Sequence, residues 1–233
     1  MPVHSAAVLW LSLFLTIVGA TSTGVRTSAG VIGVDVDWED HYSVAEWSCF
    51  RKAGYSMAII EAWNGGANTD LCGDIAAARS AEFAHISVYL FLSPGTVSDP
   101  KIVFDFMWRN CPPGNKTYDM VWFDIETCSN CGWHSDHSYN VDYIKDAINV
   151  LTSKSPVAKV GFYSNANGWP QVMGGATDFA TYPIWYANWD GSKNFDDFKG
   201  FGGWKKPVIK QYNDVCSECK VDADVNWAPT YPF

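Results

Sequence analysis

Eight apolar, β-rich runs recur at fairly even spacing along this chain, and that recurrence restricts its fold more than any other feature. They are Val31–Trp38, Tyr55–Asn64, His85–Ser93, Met120–Glu126, Lys159–Asn165, Pro183–Trp189, Val208–Asp214 and Val221–Trp227. Most are nearly continuous in apolar residues rather than alternating, the pattern of strands covered on both faces. Segments able to hold helices separate the first five runs: Val44–Ala53, Leu71–Phe83, Lys101–Asn110 and Val141–Ser153. In the last of these, Val141, Ile144, Ile148 and Leu151 fall on one helical face. Strand alternating with helix predicts a parallel sheet, and eight strands predict a closed α/β barrel.

The end of the chain departs from this pattern. Only six residues, Val215–Lys220, separate the last two runs. A parallel crossover needs about a dozen or more, so these strands are expected to be antiparallel neighbours. The expected architecture is an irregular TIM-like (β/α) barrel, about five βα units followed by three helix-poor strands. No linker, repeat or charge block divides the chain, which predicts one domain over residues 21–233. Ahead of it, Ala6–Ala20 (AAVLWLSLFLTIVGA) is apolar, too short to span a bilayer comfortably, and ends in small residues of the kind signal peptidase reads. A cleaved signal peptide over residues 1–20 is expected, with no later membrane anchor and a secreted product, outside the cell or in an acidic digestive compartment. The sequon Asn115-Lys116-Thr117 has meaning only in that setting.

The net charge of -9 and pI near 4.9 exclude capture of nucleic acid or an anionic membrane by a basic field. Charge is sparse, but aromatics make up 15% of the chain, and a chain of 233 residues buries a core without help from a metal. Seven cysteines in a secreted chain predict disulfides with one thiol left over. Cys128, Cys131, His134 and His137 sit at steps of three, but a two-Cys, two-His zinc finger needs about a dozen residues between its halves. Loop-stapling disulfides are the expected reading, with no metal, no cofactor and a monomeric chain.

Barrel chemistry belongs at the C-terminal ends of the parallel strands. The first run carries Asp35 and Asp37, and the fourth carries Asp124 and Glu126. Residues two apart on a strand face the same way, which puts Asp124 and Glu126 together at roughly 6.6 Å along the chain. A reversed last strand would start at the same rim and bring Asp222 or Asp224 to the mouth. Clustered carboxylates hinder one another's ionisation, leaving an acid that still donates near neutrality. Glycosidic cleavage needs such an acid for the leaving oxygen and an ionised partner for charge at the anomeric carbon. Trp63, Tyr89, Tyr163, Trp185, Tyr186 and Trp189 crowd the same rim, as stacking faces for sugars or simply as core.

In six ordered motifs the chain resembles glycoside hydrolase family 25, the Chalaropsis-type lysozymes: GVDV, FDIE, GFYSN, IWYANW, KQYND and DADVNW, spanning Val31 to Trp227. The resemblance implies a flattened barrel that hydrolyses the β-1,4 bond between N-acetylmuramic acid and N-acetylglucosamine in bacterial peptidoglycan, with retention. It implies Glu126 as general acid/base, and Asp124 as nucleophile or as stabiliser of the substrate's acetamido group. The spacing, wider than the ~5–5.5 Å of a nucleophile–acid pair, leans to the second role. The resemblance further implies Asp35 as an electrostatic support and Asp224 as the last-strand aspartate, with Asp222 as fallback. Tyr89, Tyr163, Trp185 and Gln211 would line the groove, joined as binding candidates by Tyr186, Asp37 and Glu61. Asp37 stands where many members have a small polar residue, and Glu61 where relatives often carry a Lys. Both departures make the neighbourhood more acidic.

Two other readings stay open. A sugar-binding homologue could keep the barrel without catalysis, and chitin-type barrel enzymes also end the fourth strand in DxE. The latter carry DxxDxDxE, of which only the last part is present here. A chain at -9 is repelled by anionic cell walls at neutral pH, so an acidic activity optimum is expected.

Overall fold

The computed structural model describes residues 30–114, 116–118, 120–156 and 158–232. The leader and Asn115 of the sequon lie outside them. In chain order the elements are β1 (Val31–Val36), α1 (Val44–Lys52), β2 (Met57–Asn64), α2 (Leu71–Ser80), β3 (His85–Phe91), α3 (Pro100–Asn110), β4 (Met120–Asp124), α4 (His137–Lys154), β5 (Lys159–Ser164), α5 (Gly168–Met173), β6 (Ile184–Ala187), β7 (Ile209–Asn213) and β8 (Asp224–Ala228). The strands close a barrel in sequence order. β1 to β7 run parallel, and β8 runs antiparallel to both β7 and β1. This is the TIM-like barrel expected from the spacing, with its last strand reversed.

Local chemistry accounts for the helix starts. Ser43 and Glu46 form a reciprocal capping box on α1. Asp99 accepts from the Lys101 N–H ahead of α3, whose first residue is Pro100. α4 begins four residues before its apolar periodicity does, because the Asp136 carboxylate accepts from the Ser138 N–H and starts the helix at His137. α5 was not legible, since six residues are too few to display a period. β8 begins at Asp224 rather than Val221, which leaves Asp222 in the preceding connection, exposed to solvent.

Strand side chains alternate between two cores. One set packs outward against the helices. The other fills the barrel: Met57, Ile59, Met120, Trp122, Trp185 and Ile209, with Tyr89 and Tyr163 above them. Trp122 is wholly buried and donates its indole N–H to Ser87 Oγ at 3.1 Å. Its ring lies against Gly161 on β5, where an added Cβ would meet it at 2.3 Å.

Disulfides join Cys49 to Cys219, Cys72 to Cys111 and Cys128 to Cys131, and Cys216 is a buried free thiol. Only one of the two CxxC motifs therefore closes on itself. Cys219 instead ties the β7–β8 connection to α1. Among the described residues no helix is long and apolar enough to cross a membrane.

Gly161→Ala is expected to destabilise by about 1–3 kcal/mol through overpacking against Trp122. Thermal denaturation followed by circular dichroism should show a Tm several degrees lower with the native spectrum retained below it.

Candidate active site

The alternate residues that point into the barrel become polar at its C-terminal end. They are Asp35 on β1, Glu61 on β2, Tyr89 on β3, Asp124 on β4, Tyr163 on β5, Trp185 on β6, Gln211 on β7 and Asp224 with Asn226 on β8. Strand register sets them side by side: Glu61 opposite Tyr89, Asp124 opposite Tyr163, Tyr163 opposite Trp185, and Asp35 opposite Asp224. Glu126 follows β4 by two residues and stays half-buried at the mouth. Because β8 is reversed, its first residue, Asp224, arrives at this end. Asp222, exposed ahead of β8, stays outside the inward-pointing set but lines an open pocket with Asp35, Asp37 and Asp224.

Neutral donors hold these carboxyls. Gln211 Nε2 donates to Asp35 Oδ1 at 3.0 Å and to Asp224 Oδ2 at 2.8 Å, and Asn226 Nδ2 donates to Asp35 Oδ2. The Gln211 carbonyl oxygen accepts from Tyr163 OH at 2.8 Å and from Trp189 Nε1 at 2.9 Å. Tyr89 OH donates to Asp37 Oδ1 at 2.9 Å, and the Trp38 N–H donates to Glu61 Oε2 at 3.1 Å. Asp124 is 4% exposed, and its Oδ1 is buried with no hydrogen-bond partner. A buried acceptor left without a donor marks where a bound donor belongs.

The rings divide into three roles. Trp185 is only 2% exposed, lies edge-on to Tyr89, packs 4.4 Å from Tyr163 and donates to Asn226 Oδ1. It forms the floor under the carboxyls rather than an open stacking face. Trp189, 56% exposed, is the ring that offers a face to solvent. Trp63 and Tyr186 belong to the outer core: Tyr186 is one residue out of phase with Trp185, and a β-bulge between Glu61 and Trp63 takes Trp63 off the inward set. Even so, Tyr186 lines a cavity of about 380 Å³ beside Glu126, with Tyr163, Asn165, Asn188, Trp189 and Asp197. Its hydroxyl is committed to Asp197 at 2.8 Å. Fully buried Lys210 clamps the same wall, 2.8 Å from Asp190 and 2.7 Å from Asp197. Sequence reasoning missed Lys210, and it missed Asn226, which the alternation after Asp224 in DADVNW could have revealed.

Burial pushes the carboxyls up, with mutual repulsion added. Asp35 rises to about 7 through burial, opposed by its two amide donors and aided by Asp37 and Glu126. Glu61 rises to about 8 through burial, opposed by the Trp38 N–H. Asp224 rises to about 8 through burial and the charge of Asp35. Asp124 is held well above the usual carboxylate range by burial and then by Glu126, and Glu126 is raised by burial and by Asp37. The expectation of one raised acid was too modest, because desolvation raises Asp35, Glu61, Asp124, Glu126 and Asp224 alike.

These shifts set a pH dependence of stability. An unfolded carboxylate titrates near about 4, so between about pH 4 and about pH 8 the folded chain binds more protons than the unfolded one. Stability then falls as pH rises through that window. Asp105, held at about 2 by Lys101 and Lys154, stays ionised throughout and adds almost no slope above about pH 5. A Tm series should decline from acid to pH 8, and Glu61→Gln should flatten it. A Tm that rises over this range would contradict the assignment.

Comparison with known proteins gives a consistent result. The model of the lysozyme-like protein 1 family matches residues 28–212. A probable GH family 25 lysozyme of Dictyostelium discoideum is 39% identical over 201 residues, covering 83% of this chain and 89% of that one. Lysozyme-like protein 5 of Caenorhabditis elegans is 28% identical, covering 93% and 96%. The crystal structure of a bacterial lysozyme from Streptomyces coelicolor superposes with a TM-score of 0.70 at 22% identity, covering 86% and 93%, and shares the fold. A closed barrel of this topology, the six motifs on its strands and these relatives together establish that the chain belongs to the glycoside hydrolase family 25 lysozymes.

Proposed function

We propose that the chain is a secreted N-acetylmuramidase that cleaves the β-1,4 bond between N-acetylmuramic acid and N-acetylglucosamine in bacterial peptidoglycan. The observation that carries this reading is the pair Asp124 and Glu126 at the end of β4, one deeply buried with an unpartnered oxygen and the other at the cavity. Glu126 is assigned as general acid/base and Asp124 as stabiliser of the substrate's acetamido group, with Asp35 and Asp224 supporting them. The names of the relatives and the disulfide content of the chain support both the substrate and secretion.

The protonation pattern fits this assignment once substrate is considered. In the free protein Asp124 resists ionisation, because burial and the charge of Glu126 both oppose it. An acetamido N–H donated to its orphan Oδ1 would favour the ionised form. The proton shared by the pair then belongs on Glu126, beside the leaving oxygen. Attack of the acetamido oxygen at the anomeric carbon expels that oxygen as it takes the proton. Glu126 is left as the base that activates water for the second step, which gives retention. Trp189 offers the stacking face, and Gln211 holds the Asp35 and Asp224 carboxyls in place.

Glu126→Gln should lower cell-wall lysis by about 10²–10⁴-fold without loss of folding, with new reducing muramic acid ends in the wild type that vanish in the variant. New N-acetylglucosamine reducing ends would point to a different bond, and wall binding without cleavage by either protein would point to an inactive homologue. Lysis by the wild type should peak at acid pH. As pH rises Glu126 gives up its proton, and the negative chain is repelled by the negative wall. A maximum at or above about pH 7 would overturn the charge argument.

A further inference from the structure

The turn that follows Glu126 is fastened in ways the barrel does not require. The Cys128–Cys131 disulfide closes a sequence separation of 3, against 39 for Cys72–Cys111 and 170 for Cys49–Cys219. The chain entropy that a cross-link removes grows with the loop it closes, so this bond contributes least to global stability. Its effect is local.

The contacts around the turn show where that effect goes. The Cys131 carbonyl accepts from Ser93 Oγ on the β3–α3 connection, and the Gly132 carbonyl accepts from the Gly95 N–H at 2.8 Å. A Cβ on Gly95 would come within 2.6 Å of the Gly132 backbone, so the two loops meet backbone to backbone. The next residue, half-buried Trp133, turns its indole N–H back to the Glu126 carbonyl at 2.8 Å. Beyond it, buried Asn140 brackets His134, accepting from its N–H at 2.9 Å and donating to its carbonyl at 2.8 Å. Asn140 also donates to the Val172 carbonyl at 2.9 Å, on α5. Trp133 is thus held from both sides, and it grips the one proposed catalytic residue that lies beyond the end of its strand.

We infer that Trp133, held in place by the disulfide-closed Cys128–Cys131 turn, is a positioning residue that sets the place and the burial of the Glu126 carboxyl. The inference rests on the reading of Glu126 as the acid. The charged and titratable groups facing Glu126 are Asp35 and Asp37 from the β1 side, Asp124 on its own strand, Tyr163 on β5, and Asp197 and Lys199 across the cavity. With the turn released, that carboxyl gains water and its ionisation moves down towards the ordinary range.

Two variants test this in the full chain with the other disulfides intact. Trp133→Phe removes the N–H and keeps a ring, and Cys128→Ser/Cys131→Ser opens the turn. Each should lower kcat about tenfold with KM unchanged, because misplacement of a reacting group acts on the chemical step. Each should also shift the Glu126 carboxyl to lower pH in a ¹³C NMR titration, and the triple variant should lose no more than either alone. Tm should fall by no more than about 3–7 °C, as a loop this short implies. Unchanged kcat with an unchanged Glu126 titration overturns the inference, as does a loss that merely follows Tm, or losses that add. Glu126→Gln measured alongside separates the two levels. If it remains active the proposed function fails, whereas an inactive Glu126→Gln beside an unaffected Trp133→Phe removes only the positioning role.

Discussion

Crowding six carboxyl groups around one barrel mouth, with Asp35, Glu61 and Asp124 buried, is the constraint on which the rest of the site depends. Asp35, Asp37, Glu61, Asp124, Glu126 and Asp224 act on one another, and desolvation is the leading cause of every upward shift among them. A cation placed among them would relieve the repulsion and return the acids to their ordinary range. The barrel instead supplies amide and hydroxyl donors from Gln211, Asn226 and Tyr89, which satisfy oxygens while leaving the acids raised. The buried cation nearby, Lys210, is turned outward and paired with Asp190 and Asp197. A site kept acidic in this way suits protonation of a leaving oxygen, and it costs stability at neutral pH.

The reversed eighth strand makes this arrangement possible. Run parallel, β8 would place Asp224 at the opposite end of the barrel. Run antiparallel, it places Asp224 opposite Asp35 and Asn226 within reach of the Asp35 carboxyl. Gln211 then bridges Asp35 and Asp224 from β7, so the last two strands act as the frame that aligns the first. The Cys49–Cys219 bond fastens the connection between those strands to α1, which holds the reversal to the helical layer.

Much of the architecture was legible in order. Apolar runs marked all eight strands, most of them nearly continuous because strands buried on both faces leave little room for polar alternation. The six-residue connection forced the final pair to be antiparallel, because no parallel crossover fits that length. Period-two alternation put Asp124 with Glu126 and Asp35 with Asp37, while the family motifs pointed to Tyr89, Tyr163, Trp185 and Gln211 as groove residues. The same rule separates Tyr186 from Trp185, although both had been grouped at the rim.

What remained hidden depends on distances across the chain rather than along it. Which cysteine meets Cys219 is decided by a contact over 170 residues, so a CxxC spacing could not reveal it. The depth of Trp185, the exposure of Trp189 and the place of Asp224 rather than Asp222 follow from how far each strand extends before its connection begins. The sequence by itself determined the strand order, the alternation of faces and the residue types at the strand ends, because these follow from local stereochemistry and length. Only the tertiary structure decided which carboxyls share a desolvated volume and which oxygen is left without a donor, because burial is set by every strand that closes the barrel.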